Sequence, residues 1–283
     1  MNTKPIGVFD SGIGGLTVLK ELISLLPNED FIYFGDTARI PYGTRSKETV
    51  KRYTFECLDF LVERGVKALV IACNSATASA LEEAKERYDV PVFGVIEPGA
   101  RAAVKVSKNG KIGVIATRRT INSGEYQKKI LMLDSNIEIV GKACPLFVQI
   151  AEEGWGDSDV AYLTAKKYLM DIKDYEIDTL VLGCTHYPIL RYTIEKVVGD
   201  GVRLVSPAFE TSKQLKGYLK DEEWLNEQKG LGSLNFFVSD DVENFKSVGQ
   251  TFLQKTIECI KEVHHNKGIF QELDSGRTTD ETC

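Results

Sequence analysis

Apolar residues in this chain fall into two alternating rhythms, short runs that are apolar on both sides and longer stretches that are apolar every third or fourth residue. The first rhythm reads as strands covered on both faces, the second as helices laid over them. The sharpest example is Ala68–Ala72, a small and apolar run, followed by Thr77, Leu81, Ala84 and Tyr88 at helical spacing. The same reading predicts strands at 5–9, Phe31–Phe34, Pro91–Ile96, Lys111–Ala116, Ile137–Ala143, 178–183, Val202–Val205 and Leu234–Val238. Helices are predicted through Leu16, Leu19, Leu22 and Leu26, from Ser46 as cap to Gly65 as stop, at Ser123–Leu133 and at Leu146–Glu153. Another runs from Asp157 as cap to Ile172, with Val160, Leu163, Leu169 and Ile172 inward. A helix with Pro188 in its first turn follows Cys184, another lies early in 208–264, and a final one carries Phe252, Ile257, Ile260 and Val263.

Strands alternating with helices predict an α/β architecture of mainly parallel sheets. Two segments of the chain echo each other. Ile6-Gly7-Val8-Phe9-Asp10-Ser11 is matched by Ile112-Gly113-Val114-Ile115-Ala116-Thr117, and the strand ending at Cys73 is matched by the strand ending at Cys184. The two echoes keep the same order at nearly the same offset, which predicts an internal duplication. Two pseudo-symmetric lobes follow, each a mainly parallel sheet flanked by helices, with a cleft between them. Pro98-Gly99 and Ser206-Pro207 are the candidate crossings. The lobes are then 1–97 with 207–265, and 98–206, while 266–283 reads as a polar, mobile tail.

Composition narrows the partners. A hydrophobic share of 43% and a charged share of 27% are ordinary for a globular chain. A formal charge of −6 argues against a nucleic acid or an anionic membrane as the main partner. No apolar run is long enough to span a bilayer, and the N-terminus enters a strand without a secretory signal. Six cysteines, Cys57, Cys73, Cys144, Cys184, Cys259 and Cys283, are expected as free thiols, and no pair is spaced as CxxC. Cys57 reads as a core thiol; Cys259 and Cys283 suggest no chemistry. The three histidines and these cysteines form no metal-ligand pattern.

The chemistry therefore rests on strand ends. In an open parallel sheet, ligands bind where strands stop and helices begin, and Cys73 and Cys184 both stand there. A thiol lies within tuning range of neutral pH as acid or base. Two of them on opposite sides of one small molecule suit removal of a proton from carbon on one face and delivery to the other. Such a reaction inverts a stereocentre without redox change. Asp10, ending a neighbouring strand, and His186, two residues past Cys184, are candidate helpers, although each also reads as a helix cap. The run Gly12-Ile13-Gly14-Gly15 lacks the third glycine of a dinucleotide fingerprint and the Lys of a P-loop. It reads instead as close backbone approach at a helix start, a place for a carboxylate.

Five motifs taken together resemble those of glutamate racemases, in the aspartate/glutamate racemase family. They are Val8–Val18, Tyr33–Arg39 with Pro41-Tyr42-Gly43, Ala72-Cys73-Asn74, Gly183–Pro188 and Phe237–Asp241. The resemblance covers roughly residues 5–255. It implies a cofactor-independent, cytoplasmic enzyme that interconverts L- and D-glutamate for peptidoglycan synthesis, usually as a homodimer. It further implies Cys73 and Cys184 as the acid/base pair, with Asp10, His186 and Glu152 as auxiliary catalytic groups. Asp10, Ser11, Tyr42, Gly43, Asn74, Ser75, Thr185 and His186 would contact substrate, and Asp36 would play a supporting part. Ser75, Gln149 and Ser206 depart from the residues usual at their places. Variants activated by a cell-wall precursor carry an N-terminal extension; with the first strand at Ile6, that regulation is not expected here. Alternatives from the residues are a sibling racemase acting on aspartate, a two-lobed module that binds an acidic amino acid without chemistry, and a thiol redox protein.

Overall fold

The computed structural model describes residues 2–266 and 268–272. The first half lays down β1 (Ile6–Asp10), α1 (Leu16–Leu25), β2 (Phe31–Gly35), α2 (Lys47–Glu63), β3 (Ala68–Ile71), α3 (Asn74–Arg87), β4 (Val92–Gly94) and α4 (Ile96–Val106). The next segment lays down β5 (Lys111–Ala116), α5 (Arg118–Ser123), α6 (Glu125–Leu133), β6 (Glu138–Ala143), α7 (Leu146–Glu152), α8 (Asp159–Lys173), β7 (Thr179–Gly183), α9 (Arg191–Val198) and β8 (Arg203–Val205). The chain returns through α10 (Pro207–Asp221), β9 (Leu234–Val238), α11 (Val242–Leu253), β10 (Ile260–Asn266) and β11 (Ile269–Glu272).

Among the described residues the strands form two sheets, ordered β11-β10-β9-β2-β1-β3-β4 and β6-β5-β7-β8. All neighbours pair in parallel except β10 and β11. The order β2-β1-β3-β4 in one sheet repeats as β6-β5-β7-β8 in the other. The two echoed segments are therefore topological equivalents, β1 with β5 and β3 with β7. This is the predicted architecture of two α/β lobes. Both β1 and β7 are buried along their whole length, as strands covered by helices on both faces must be. Among the described residues no helix is long and apolar enough to cross a membrane.

Several elements differ from the sequence reading. The predicted strand at Pro91–Ile96 shortens to β4, and Pro98-Gly99 lies inside the first turn of α4. Proline is tolerated there because that N–H has no helical partner to lose. The predicted helix at Ser123–Leu133 is α6, which begins only at Glu125 after Gly124 with φ +68°, and the short helix before it, α5, capped by Thr117, was not predicted. The cap of α8 is Ser158, whose Oγ accepts from Ala161 N at 3.2 Å, rather than Asp157. Val160 and Leu163 face solvent, and the buried ridge is Ala161, Ala165, Leu169 and Ile172. Small alanines allow α8 to lie close to its neighbours, so the larger residues turn outward. The final helix ends at Leu253, since Gln254 adopts φ +56°. Ile260 and Val263 belong to β10, and residues 269–272, read as tail, form β11 against it. The rest of the predicted mobile tail lies outside the described residues. Cys57, Cys73, Cys144 and Cys184 are free thiols, whereas Cys259 is disulfide-bonded, against expectation. Cys283 lies outside the described residues.

One buried ion pair ties the first lobe together. Lys67 Nζ lies 2.6 Å from Glu29 Oε2, with both side chains almost fully buried. Lys67 also donates to the carbonyls of Asn2 and Trp224, and Glu29 accepts from Asn226 N. Removing one partner strands the other charge in a low-dielectric interior. Lys67→Met is expected to cost about 3–5 kcal/mol in urea unfolding, and adding Glu29→Leu to recover most of it. A single variant as stable as the parent would contradict this account.

Candidate active site

Cys73 and Cys184 line the same cavity, of about 110 Å³, at the carboxyl ends of the equivalent strands β3 and β7. Ser11, Gly12, Ile40, Pro41, Tyr42, Gly43, Thr44, Asn74, Ser75, Thr117, Pro145, Val148, Gln149, Glu152, Thr185 and His186 complete the wall. Of the expected site residues, all but Asp10 reach this surface. Among the described residues His186 is the one lining side chain able to carry positive charge, so a bound carboxylate would be held mainly by neutral donors.

Cys73 stands just before α3. Its Sγ lies 3.5 Å from Ser11 Oγ as donor. Burial pushes the thiol up to about 12, with the Asp10 charge adding to the rise, while Ser11 and the Ala76 amide pull the other way. The sulfur therefore keeps its proton at neutral pH. Cys184 Sγ lies 3.8 Å from His186 Nδ1, and His186 Nε2 lies 2.8 Å from Glu152 Oε1. Burial opposes charge on His186, but Cys184 and Glu152 together outweigh it and raise the imidazole to about 10. An imidazolium thus sits between sulfur and carboxylate.

Asp10 is fully buried behind the wall rather than on it. Its carboxylate accepts from Gly12 N at 3.0 Å and from Thr185 Oγ1 at 3.5 Å. Burial raises its pKa, and the nearby His186 charge opposes that rise. Asp10 ends β1 one residue before the cavity wall, and its two partners, Gly12 and Thr185, are the residues that line the cavity.

The glycine run serves close packing, between lobes at Gly14 and within the first lobe at Gly15, rather than an amide cradle. A Cβ at Gly14 would lie 2.4 Å from Thr185 Oγ1 and 2.5 Å from the His186 ring, and one at Gly15 would lie 2.3 Å from Asp10 Cβ. Neither glycine lines the cavity, and the Gly12 N–H is spent on Asp10. Gly43 is likewise pressed against Thr117, where a Cβ would meet its side chain at 2.6 Å.

Tyr42 is held from behind. Its hydroxyl donates to Asp36, which also accepts from Arg39 Nε at 2.7 Å and from Ser239 Oγ at 2.9 Å. Asp36 thus supports the wall without touching the cavity. Thr117 was absent from the expected set, yet it lines the cavity and lies 2.9 Å from Ser75 Oγ. The duplication carried the signal, since Thr117 occupies the place of Ser11 in the echoed segment. Tyr126, whose hydroxyl reaches Asn74 Oδ1 at 2.7 Å, had no sequence signal beyond an apolar helical position.

Known proteins resemble this chain in sequence and in fold. Residues 6–214 match the family model described as Asp/Glu/Hydantoin racemase. A glutamate racemase of Geobacter metallireducens is 52% identical over 253 residues, covering 89% of this chain and 94% of its own. Among solved structures, glutamate racemase RacE1 of Bacillus anthracis superposes with a TM-score of 0.89 at 40% identity, covering 95% of this chain and 100% of that one. The glutamate racemase of Francisella tularensis, solved with D-glutamate, gives 0.88 at 42% identity, covering 93% of this chain and 98% of that one.

Proposed function

The chain belongs to the Asp/Glu/Hydantoin racemase family, as an isomerase of its glutamate racemase group, and from that membership we propose that Cys73 and Cys184 interconvert L- and D-glutamate by a two-base mechanism. One observation carries the reading: two thiols from topologically equivalent strands share one cavity. The substrate α-carbon sits between them. One sulfur, as thiolate, takes the α-proton; the other, as thiol, gives its proton to the opposite face. The C–H bond broken and the C–H bond formed lie on opposite sides, no electrons leave the pair of reactants, and the two sulfurs exchange protonation states.

A carbon acid this weak needs the developing negative charge held by fixed donors, an effect able to supply several kcal/mol. Ser11, Asn74, Ser75, Thr117 and Thr185 supply hydroxyl and amide groups around the cavity. His186 serves Cys184, Glu152 holds His186, and Asp10 sets Gly12 and Thr185. Tyr42 and Gly43 close the wall opposite α5. In this reading the enzyme uses no cofactor, works in the cytoplasm as a homodimer, and supplies D-glutamate for peptidoglycan.

The test is α-proton exchange in D₂O, followed by NMR, for both enantiomers of glutamate and of aspartate. The expected result is deuterium entering both enantiomers of glutamate together with inversion. Faster turnover of aspartate would move the chain to a sibling specificity. Binding of D-glutamate without exchange would reduce it to a sensor.

A further inference from the structure

Tyr126 lies on α6 of the second lobe, yet its hydroxyl reaches across to Asn74, the first residue of α3 in the first lobe. The O–H donates to Asn74 Oδ1 at 2.7 Å, and both side chains are buried. A phenol hydroxyl donates one proton. Burial raises the Tyr126 pKa, so that proton stays in place. With Oδ1 occupied, the Asn74 amide has one orientation: turned over, Nδ2 would face the phenol and the phenol proton would lose its acceptor. Among the described residues Asn74 Nδ2 makes no hydrogen bond, and Asn74 lines the cavity.

Resting on the racemase reading above, we propose that Tyr126 is a positioning residue that fixes the Asn74 amide so that its two Nδ2–H groups face a substrate carboxylate. A neutral, oriented donor pair matters here because His186 is the one cation-forming side chain on the wall. Since Tyr126 and Asn74 come from different lobes, the donor is oriented only while the lobes are together.

Tyr126→Phe removes the hydroxyl and keeps the ring. It is expected to raise KM for both glutamate enantiomers about tenfold, with kcat changed less than about twofold. In an Asn74→Ala background the same change is expected to add nothing to KM. An equal KM factor in both backgrounds would show that Tyr126 acts on the lobes and not through Asn74, and would overturn the proposal. Should Tyr126→Phe fail to fold, Asn74→Asp carries the test. It keeps the acceptor for Tyr126 but removes both donors, so KM is expected to rise more than about a hundredfold at unchanged melting temperature. An unchanged KM in Asn74→Asp would overturn the proposal. Loss of the underlying reading shows separately, as a wild-type chain that exchanges no α-proton.

Discussion

Cys73→Ser and Cys184→Ser are each expected to lose racemisation of glutamate by at least about a thousandfold while keeping the fold. A serine hydroxyl fills nearly the same volume at both nearly buried positions. It cannot serve as a proton acceptor from carbon at neutral pH, since its own acidity lies far above that of a thiol. The informative readout is what survives. The two enantiomers present the α-proton to opposite faces of the cavity, so each variant retains one working face. Each is therefore expected to exchange the α-proton of one enantiomer in D₂O without inverting it. The enantiomer that exchanges should be opposite in the two variants. Because enantiomers have equal free energies, kcat/KM must fall equally in both directions, and exchange alone resolves the faces. Full racemisation in either variant would remove that cysteine from the mechanism. Exchange of both enantiomers by both variants would place the two sulfurs on one face.

The two cysteines were legible because a buried strand ending in a thiol and polar residues is a local pattern, and because it occurs twice. The same repetition already aligned Thr117 with Ser11, and the strand order bears it out by making β5 the counterpart of β1. Helix faces were less legible. On α8 the largest apolar residues, Val160 and Leu163, look inward by size, whereas close packing selected the alanine ridge. Near the C-terminus, Ile257, Ile260 and Val263 fit a helical period, but Gln254 ends α11, and Ile260 and Val263 fall in a strand. Glu152 had no local signal, because its bond to His186 joins residues 34 apart in sequence.

The duplication is also where the site breaks its own symmetry. The position equivalent to Asp10 is Ala116, and the position equivalent to His186 is Ser75. Cys73 therefore answers to a buried carboxyl behind the wall, and Cys184 to an imidazolium on it. A perfectly repeated pair would place two identical thiols in identical surroundings. The unequal helpers give the two strand ends different surroundings before substrate arrives.

Glu152→Gln is expected to move the alkaline limb of the pH–rate profile down by about one unit and to lower kcat/KM at pH 9 by about twofold. The sign follows from His186. Burial is the largest influence on this ring and opposes its charge; Cys184 and Glu152 hold the pKa up, at about 10. Taking away the Glu152 charge leaves burial less opposed, so the ring loses its proton at lower pH. The same linkage appears in stability. A histidine whose pKa is raised on folding contributes stability that is fully present below its unfolded value near 6.5 and is lost as pH rises through about 10. The variant should therefore lose stability relative to the parent at neutral pH, and the two should converge above pH 10. Ionisation of the substrate amine contributes equally to both proteins and cancels in the comparison. Coincident alkaline limbs in the two proteins would show that Glu152 does not sustain the His186 charge, and the role given to that carboxylate would have to be withdrawn.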